Sequence, residues 1–134
     1  MALVKLSLSD EAGRVLSENF YWHSPQPAGY RELNDLPAAD VTVSAVRRGE
    51  GEATRVQVEL TNRGPSVALA LQAILRDAET SARVLPAYAS DNFVSLLPRE
   101  RRALTIETPA ADRGRARIEL KGWNLRETSV NVVQ

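Results

Sequence analysis

The sequence lacks cysteine altogether and contains a single histidine, His23, in 134 residues. The absence of cysteine excludes disulfide bonds, thiolate metal sites and thiol nucleophiles, but it leaves the compartment open because a domain of this size folds without cross-links. His23 lies next to Ser24 at the end of a predicted strand, where neighbouring side chains point to opposite faces. A base and a nucleophile would be separated there, so we predict no catalytic residue and interpret His23 as a surface or interface residue.

The chain also lacks an excess of either charge, since 17 basic residues balance 17 acidic ones. A neutral chain offers no electrostatic attraction to nucleic acid or to an anionic membrane, so neither is expected as a partner. No apolar run approaches the ~18 residues of a membrane-spanning helix. The first residues also lack the charged, apolar and small-residue order of a signal peptide, so we expect none.

Clustered metal ligands and a glycine-rich phosphate loop are missing as well. The acidic residues at 10–11 and 35–40 are loosely spaced and are better explained as turns. Other carboxylates alternate with apolar residues, which places them on the solvent faces of strands. We therefore predict no metal, no cofactor and no paired-carboxylate catalytic site.

The sequence does contain stretches in which apolar and polar residues alternate with a period of two. Alternation of apolar and polar residues predicts strands with one face in a core and the other in water. It occurs in four stretches, marked by Val4-Leu6-Leu8, Val56-Val58-Leu60, Leu104-Ile106 and Ala116-Ile118-Leu120. Residues 41–46 and 67–75 are apolar on both faces, as covered strands are, although the second stretch also has the composition of a short helix.

Turn residues separate these strands at short intervals. Residues 10–13 predict a first hairpin with Gly13 at positive φ, residues 62–65 predict a second one, residues 49–51 break the chain, and Pro98 opens a further turn. Residues 24–39 hold three prolines without a clear period, which indicates a long connection between sheets. Together these features predict one all-β antiparallel sandwich over residues 1–134.

Three stretches of aromatic and amide residues lie outside the simple alternation: 17–22, 88–93 and 122–124. Phe20, Trp22 and Phe93 are expected in the core, with Trp22 mostly buried between the two sheets. A separate set is the candidate for an interface or a sugar contact: Tyr21, Asp91, Asn92, Trp123 and Asn124. Asp91 and Asn92 equally suit a sharp bend in which their side chains bind nearby backbone amides.

The order of several short motifs resembles one known family. The motifs are Ser17-Glu18-Asn19-Phe20-Tyr21-Trp22, Tyr30 with Leu33-Asn34-Asp35-Leu36-Pro37, Leu60-Thr61-Asn62, Val84-Leu85-Pro86, Ser90-Asp91-Asn92-Phe93 with Ser95-Leu96-Leu97-Pro98, and Gly122-Trp123-Asn124. In this order they resemble the C-terminal immunoglobulin-like domain of glycoside hydrolase family two enzymes of the β-mannosidase and exo-β-glucosaminidase branch. The sequence departs from that family at Arg99, where a glycine is frequent, and at Ala89, where a bulky aromatic is frequent. We expect Arg99 to favour a type I turn, because arginine resists the positive φ of type II.

The resemblance implies an immunoglobulin-like antiparallel β-sandwich that belongs to a much larger retaining exo-glycosidase. The catalytic glutamates of such enzymes lie on a central barrel that this chain does not include, so no catalytic residue carries over. The chain would pack on the other domains of its parent enzyme, which would cleave β-mannosides or β-glucosaminides and be periplasmic or secreted. An autonomous carbohydrate-binding module and a protein-interaction sandwich unrelated to sugars remain as alternatives.

Overall fold

The computed structural model describes residues 1–48, 54–109 and 115–133, so the predicted break at residues 49–51 lies outside the described residues. The chain divides into two compact units, Met1–Leu36 and Pro37–Gln134. A single domain over residues 1–134 stays a prediction.

The first unit begins with a hairpin of strands β1 (Ala2–Ser9) and β2 (Val15–His23), which form a two-stranded antiparallel sheet. The turn is held by Asp10, whose Oδ1 accepts hydrogen bonds from the amides of Ala12 at 3.1 Å and Arg14 at 2.8 Å. Gly13 has a φ of +79°, a conformation that costs glycine little. The predicted first hairpin is therefore confirmed.

The predicted burial of this hairpin is wrong. Val4, Leu6 and Leu8 are 39%, 56% and 62% exposed, and Trp22 is 40% exposed. Trp22 lies in the two-stranded sheet and in neither four-stranded sheet, so it is not a core residue between two sheets. Alternation of apolar and polar residues correctly predicted a strand here, but it did not predict whether another layer covers its apolar face.

A 3₁₀ helix follows at Pro27–Asp35, within the segment predicted as an irregular connection between sheets. Pro27 stands in the first turn, where a missing N–H costs nothing. Leu36 is extended (φ −60°, ψ 132°) because the residue before a proline avoids helical conformation, and this ends the helix. The segment leads from the hairpin to the strand that begins at Val41, so it does not join the two sheets of the sandwich.

The second unit is a sandwich of two four-stranded antiparallel sheets with the strand orders β3-β4-β8-β6 and β10-β9-β5-β7. Its strands are β3 (Val41–Arg48), β4 (Thr54–Asn62), β5 (Ala68–Asp77), β6 (Tyr88–Ala89), β7 (Val94–Leu96), β8 (Arg101–Thr108), β9 (Ala116–Lys121) and β10 (Thr128–Asn131). This architecture confirms the predicted all-β antiparallel sandwich. The segment at 67–75 is a strand, so its helical alternative is wrong.

The core of the sandwich lies where the sequence predicted it. The inward-facing residues of β4, β8 and β9 are at most 2% exposed: Val56, Val58, Leu60, Leu104, Ile106, Ile118 and Leu120. Strand β5 is buried on both faces along most of its length, as its continuous apolar run predicted. Each of these aliphatic side chains contributes about 1.5–3 kcal/mol through burial.

The predicted hairpin at residues 62–65 is wrong, because β4 and β5 belong to different sheets and the link crosses from one to the other. Asn62, which is fully buried, satisfies the backbone at this crossing. Its Nδ2 lies 2.7 Å from the carbonyl of Ser66, 3.1 Å from that of Leu96 and 3.2 Å from that of Leu97. Its Oδ1 accepts a hydrogen bond from the Gly64 amide at 3.1 Å.

The turn at Pro98 also differs from the expectation. The Glu100 amide donates to the Leu97 carbonyl at 3.1 Å, and Arg99 adopts a φ of +67°. This positive φ at the third position excludes a type I turn and corresponds to type II. The Glu100 carboxylate accepts a hydrogen bond from the Leu97 amide at 2.8 Å, which helps to offset the cost of about 1 kcal/mol for a left-handed arginine.

We expect Asn62→Ala to destabilise the protein by about 3 kcal/mol or more, because it leaves several buried backbone groups without a partner. The free energy of unfolding from urea denaturation measures the effect. Asn131→Ala, at an exposed position on β10, is the matched control and should change stability by less than about 0.5 kcal/mol. Equal stability of the two variants would contradict this role of Asn62.

Candidate functional site

The first candidate site lies at the bend between β6 and β7, where the chain again crosses between the sheets. The Asn92 amide donates to Asp91 Oδ1 at 2.8 Å, and the Phe93 amide donates to Asn92 Oδ1 at 3.3 Å. Phe93 has a φ of +57°, so the chain reverses at this residue. The predicted sharp bend with local amide contacts is confirmed.

The predicted core position of Phe93 is wrong, because this residue is 63% exposed. A residue in the bend follows the alternation of neither sheet.

The bend is also fixed to strand β8. Asp91 Oδ2 accepts a hydrogen bond from Arg102 Nη2 at 2.9 Å, and both side chains are partly exposed. The Ser90 amide donates to the Thr105 carbonyl at 2.8 Å, while Ser90 Oγ accepts from the Thr105 amide at 3.0 Å. A solvent-screened pair such as Asp91–Arg102 contributes at most about 1 kcal/mol, so it positions the bend more than it stabilises the fold.

Next to this bend is a surface cavity of about 200 Å³, lined mainly by aliphatic side chains of β5 and residues 83–89. Its polar lining comes from Gln72, Arg83 and Asn92. It is smaller than the ~300–1,000 Å³ of typical small-molecule sites. Ala89, one of the two predicted departures from the resembling family, is among its lining residues.

Three large apolar side chains are exposed on residues 85–93. Leu85, Tyr88 and Phe93 are 68%, 66% and 63% exposed, and we call these three residues the 85–93 rim. Exposed aromatic and aliphatic residues grouped on one segment are typical of contact surfaces rather than of ordinary solvated edges.

Trp123 and Asn124 form a different corner of the sandwich, after β9. Asn124 Oδ1 accepts from the Leu69 amide at 3.0 Å, and its Nδ2 donates to the carbonyls of Pro37 and Val67, both at 2.8 Å. Asn124 therefore connects three backbone segments. The Trp123 amide donates to the Leu69 carbonyl at 2.9 Å, while its side chain is 54% exposed.

Tyr21 lies on β2, opposite Val4, and is 50% exposed. The five candidate residues thus come from three stretches: Asp91 and Asn92 share one bend, Trp123 and Asn124 share one corner, and Tyr21 belongs to the hairpin. Their role as interface or sugar contacts stays a prediction.

Sequence reasoning missed an ionic network on β5 and β9. Glu119 is 7% exposed, and its Oε2 accepts from Arg76 Nε at 2.7 Å, with Lys121 Nζ 3.7 Å away. Alternation placed Glu119 on a solvent face, but Arg76 from the neighbouring strand packs beside it. Arg76 and Glu119 are brought together by the register between β5 and β9. That register cannot be predicted from the sequence alone.

The surroundings of Glu119 shift its titration. Burial raises the pKa of the Glu119 carboxyl, but hydrogen bonds from Arg76 and with Glu127, together with the charges of Arg76 and Lys121, outweigh burial. The net pKa therefore lies below the ordinary value of 4.5. The carboxylate is ionised at neutral pH and stabilises the fold as part of an ion pair.

The described ranges contain no group of three or more His, Cys, Asp or Glu residues placed to hold a metal ion. No helix in the described part of the chain is long and apolar enough to cross a membrane. His23 ends β2 at an exposed position.

The fold and these surfaces define a class, the immunoglobulin-like β-sandwich modules. The family model described as the exo-beta-D-glucosaminidase Ig-fold domain matches residues 19–125. The chain therefore belongs to this family, which confirms the predicted resemblance and the immunoglobulin-like fold.

Relatives and solved structures agree with this assignment. An exo-beta-D-glucosaminidase of Arthroderma benhamiae is 30% identical over 97% of this chain and 16% of its own length. One of Streptomyces avermitilis is 32% identical over 96% of this chain and 17% of its own length. The crystal structure of the Amycolatopsis orientalis exo-chitosanase superposes with a TM-score of 0.86 at 27% identity, covering 96% of this chain and 18% of that one. The chain thus spans less than a fifth of these proteins.

The lowered pKa of Glu119 predicts a pH dependence of stability. Because the folded pKa is depressed, the contribution is fully present above about pH 4.5 and is lost as the pH falls through the folded pKa. Glu119→Gln should cost on the order of 2 kcal/mol at pH 7, and its difference from wild type should shrink below pH 4.5. Urea denaturation from pH 3 to 7 tests this, with the exposed Glu11→Gln as control. A difference that does not vary with pH would exclude the ion pair as its source.

Proposed function

We propose that the chain is a non-catalytic accessory domain of a larger retaining exo-glycosidase. The observation that carries this proposal is the asymmetry of coverage: relatives match 96–98% of this chain but only 16–18% of their own length. A segment with that relation to its relatives is one module of a multidomain enzyme.

The parent enzyme is of the exo-β-glucosaminidase type and removes β-linked glucosamine units from non-reducing chain ends. Support comes from the names of the relatives, which are exo-beta-D-glucosaminidases from Streptomyces avermitilis and three fungi. We prefer this specificity to the β-mannosidase alternative of the same branch for that reason.

The role of the sandwich is to dock on the catalytic barrel and the other domains of the parent. The 85–93 rim and Trp123 supply exposed apolar and aromatic area, which is enriched at the cores of protein interfaces. Asp91, which lies within the same segment, adds a polar group that is paired with Arg102. An interface of this composition holds a neighbouring domain without requiring chemistry from this chain.

We expect the isolated chain to hydrolyse no aryl β-glucosaminide or β-mannoside. Retaining hydrolysis needs two carboxyl groups about 5 Å apart in a cleft, one of them free to donate a proton. The most buried described acid, Glu119, is paired with Arg76 instead. Release of nitrophenol above the buffer rate, abolished by mutating one acid of this chain, would refute the proposal.

We expect Tyr88→Ser to leave the stability of the isolated chain within about 0.5 kcal/mol of wild type, because the side chain is 66% exposed. In the longer parent polypeptide the same change should lower the melting temperature or the glycosidase activity, because it removes an apolar contact. Tyr88→Phe, which keeps the ring, is the matched control and should behave as wild type. If Tyr88→Ser has no effect in the parent but weakens retention of the isolated chain on chitosan, the rim contacts sugar instead.

A further inference from the structure

The β1–β2 hairpin has an exposed apolar face. The register pairs Val4 with Tyr21 and Leu6 with Asn19, so these side chains project from the same side as Leu8. Val4, Leu6, Leu8 and Tyr21 are 39–62% exposed, and we call them the aliphatic face. On the opposite side, Lys5 and Glu18 form an ion pair at 3.1 Å, and their side chains are only 14% and 19% exposed.

This arrangement leaves apolar residues on both sides of the hairpin, because Leu3, Phe20 and Trp22 lie on the side of the ion pair. Apolar residues normally cover a core and charged residues face water. Here the aliphatic face is more exposed than the face that carries the ion pair. A two-stranded hairpin alone is at best marginally stable in water, so leaving this face uncovered would add a cost to an already weak element.

The limit of the family match falls within the hairpin. The Ig-fold domain model begins at residue 19, inside β2, so all of β1 lies outside it. The relatives nevertheless align over 96–98% of the chain, which leaves too few residues unmatched to exclude β1. The compact unit that contains the hairpin also ends at Leu36, before the first strand of the sandwich. The relatives therefore match β1, although the Ig-fold domain model does not include it.

We propose that β1–β2 is an outlying hairpin of a neighbouring β-sheet domain in the same polypeptide, and that the aliphatic face completes the core of that domain. The inference rests on the proposed function, since it takes the neighbour from the rest of the parent enzyme. A linked domain is favoured over a second copy as the occupant, because linkage supplies a high effective concentration and the relatives contain the additional chain. The boundary between the two domains then falls near Leu36, in contrast to the prediction of one domain over residues 1–134.

Paired variants test the face in the longer polypeptide that includes the neighbouring domains. Leu6→Thr keeps a β-forming residue but replaces an apolar side chain on the aliphatic face, while Ser7→Thr changes the next residue, on the other face. Leu6→Thr should lower the melting temperature of the longer polypeptide by roughly 4 °C or more, and Ser7→Thr should not. In the isolated chain both variants should melt as wild type does, because Leu6 is already exposed there.

Hydrogen exchange provides a second measurement that needs no variant. In the isolated chain, amides of β1 and β2 should exchange near the unprotected rate while those of β4 and β8 stay protected. In the longer polypeptide the hairpin amides should exchange about a hundredfold more slowly. Equal protection of hairpin and sandwich in the isolated chain would overturn the proposal and favour the single domain. A dimer of the isolated chain that Leu6→Thr dissociates would overturn it in favour of a second copy.

These readouts are independent of glycosidase activity. If the longer polypeptide shows the expected melting and exchange but hydrolyses no glycoside, the proposed function fails and the hairpin assignment stands. If it is an active glycosidase in which Leu6→Thr has no effect, only the hairpin assignment fails.

Discussion

The sandwich depends on the satisfaction of buried backbone groups where the chain crosses from one sheet to the other. Each crossing removes several N–H and C=O groups from regular ladders, and a buried group without a partner costs free energy comparable to a lost hydrogen bond. Asn62 meets this constraint at the crossing from β4 to β5, where one amide side chain contacts three carbonyls and one N–H. Leu96 ends β7 and Leu97 follows it. The Asn62 side chain therefore also connects this crossing to the sheet that contains β7.

Amide and carboxylate side chains repeat this solution elsewhere. Asn124 joins Pro37, Val67 and Leu69, and Asp91 with Asn92 shapes the crossing from β6 to β7. Residues that looked like candidates for ligand contacts are thus occupied in part by the fold itself. The large apolar side chains of Leu85, Tyr88, Phe93 and Trp123 are exposed instead, at 54–68%.

The sequence was sufficient to predict the long strands, the core of β4, β8 and β9, and the sandwich, but not the short strands β6, β7 and β10. It was not sufficient to predict sheet membership: residues 62–65 have the composition of a hairpin turn, yet they join different sheets. Arg99 adopts a positive φ in a turn where Glu100 binds the Leu97 amide, a contact that propensity alone does not predict. Of the candidate site, the bend at Asp91 and Asn92 was predictable from side-chain chemistry, whereas the Arg76–Glu119 pair depends on register between strands distant in sequence.

The disagreement between pattern and burial in β1 carries information of its own. Alternation of apolar and polar residues is typical of a strand with one buried face. Strand β1 has this alternation. In the sandwich strands β4 and β8 pattern and burial agree, whereas on β9 the ion-paired Glu119 is buried against its pattern. Leu6 and Leu8 depart from their pattern in the least covered part of the hairpin, at 56% and 62% exposure. In this chain, alternation of apolar and polar residues predicts burial well in the sandwich and poorly in the hairpin. This difference is expected if the packing partner of the hairpin lies in another part of a larger polypeptide.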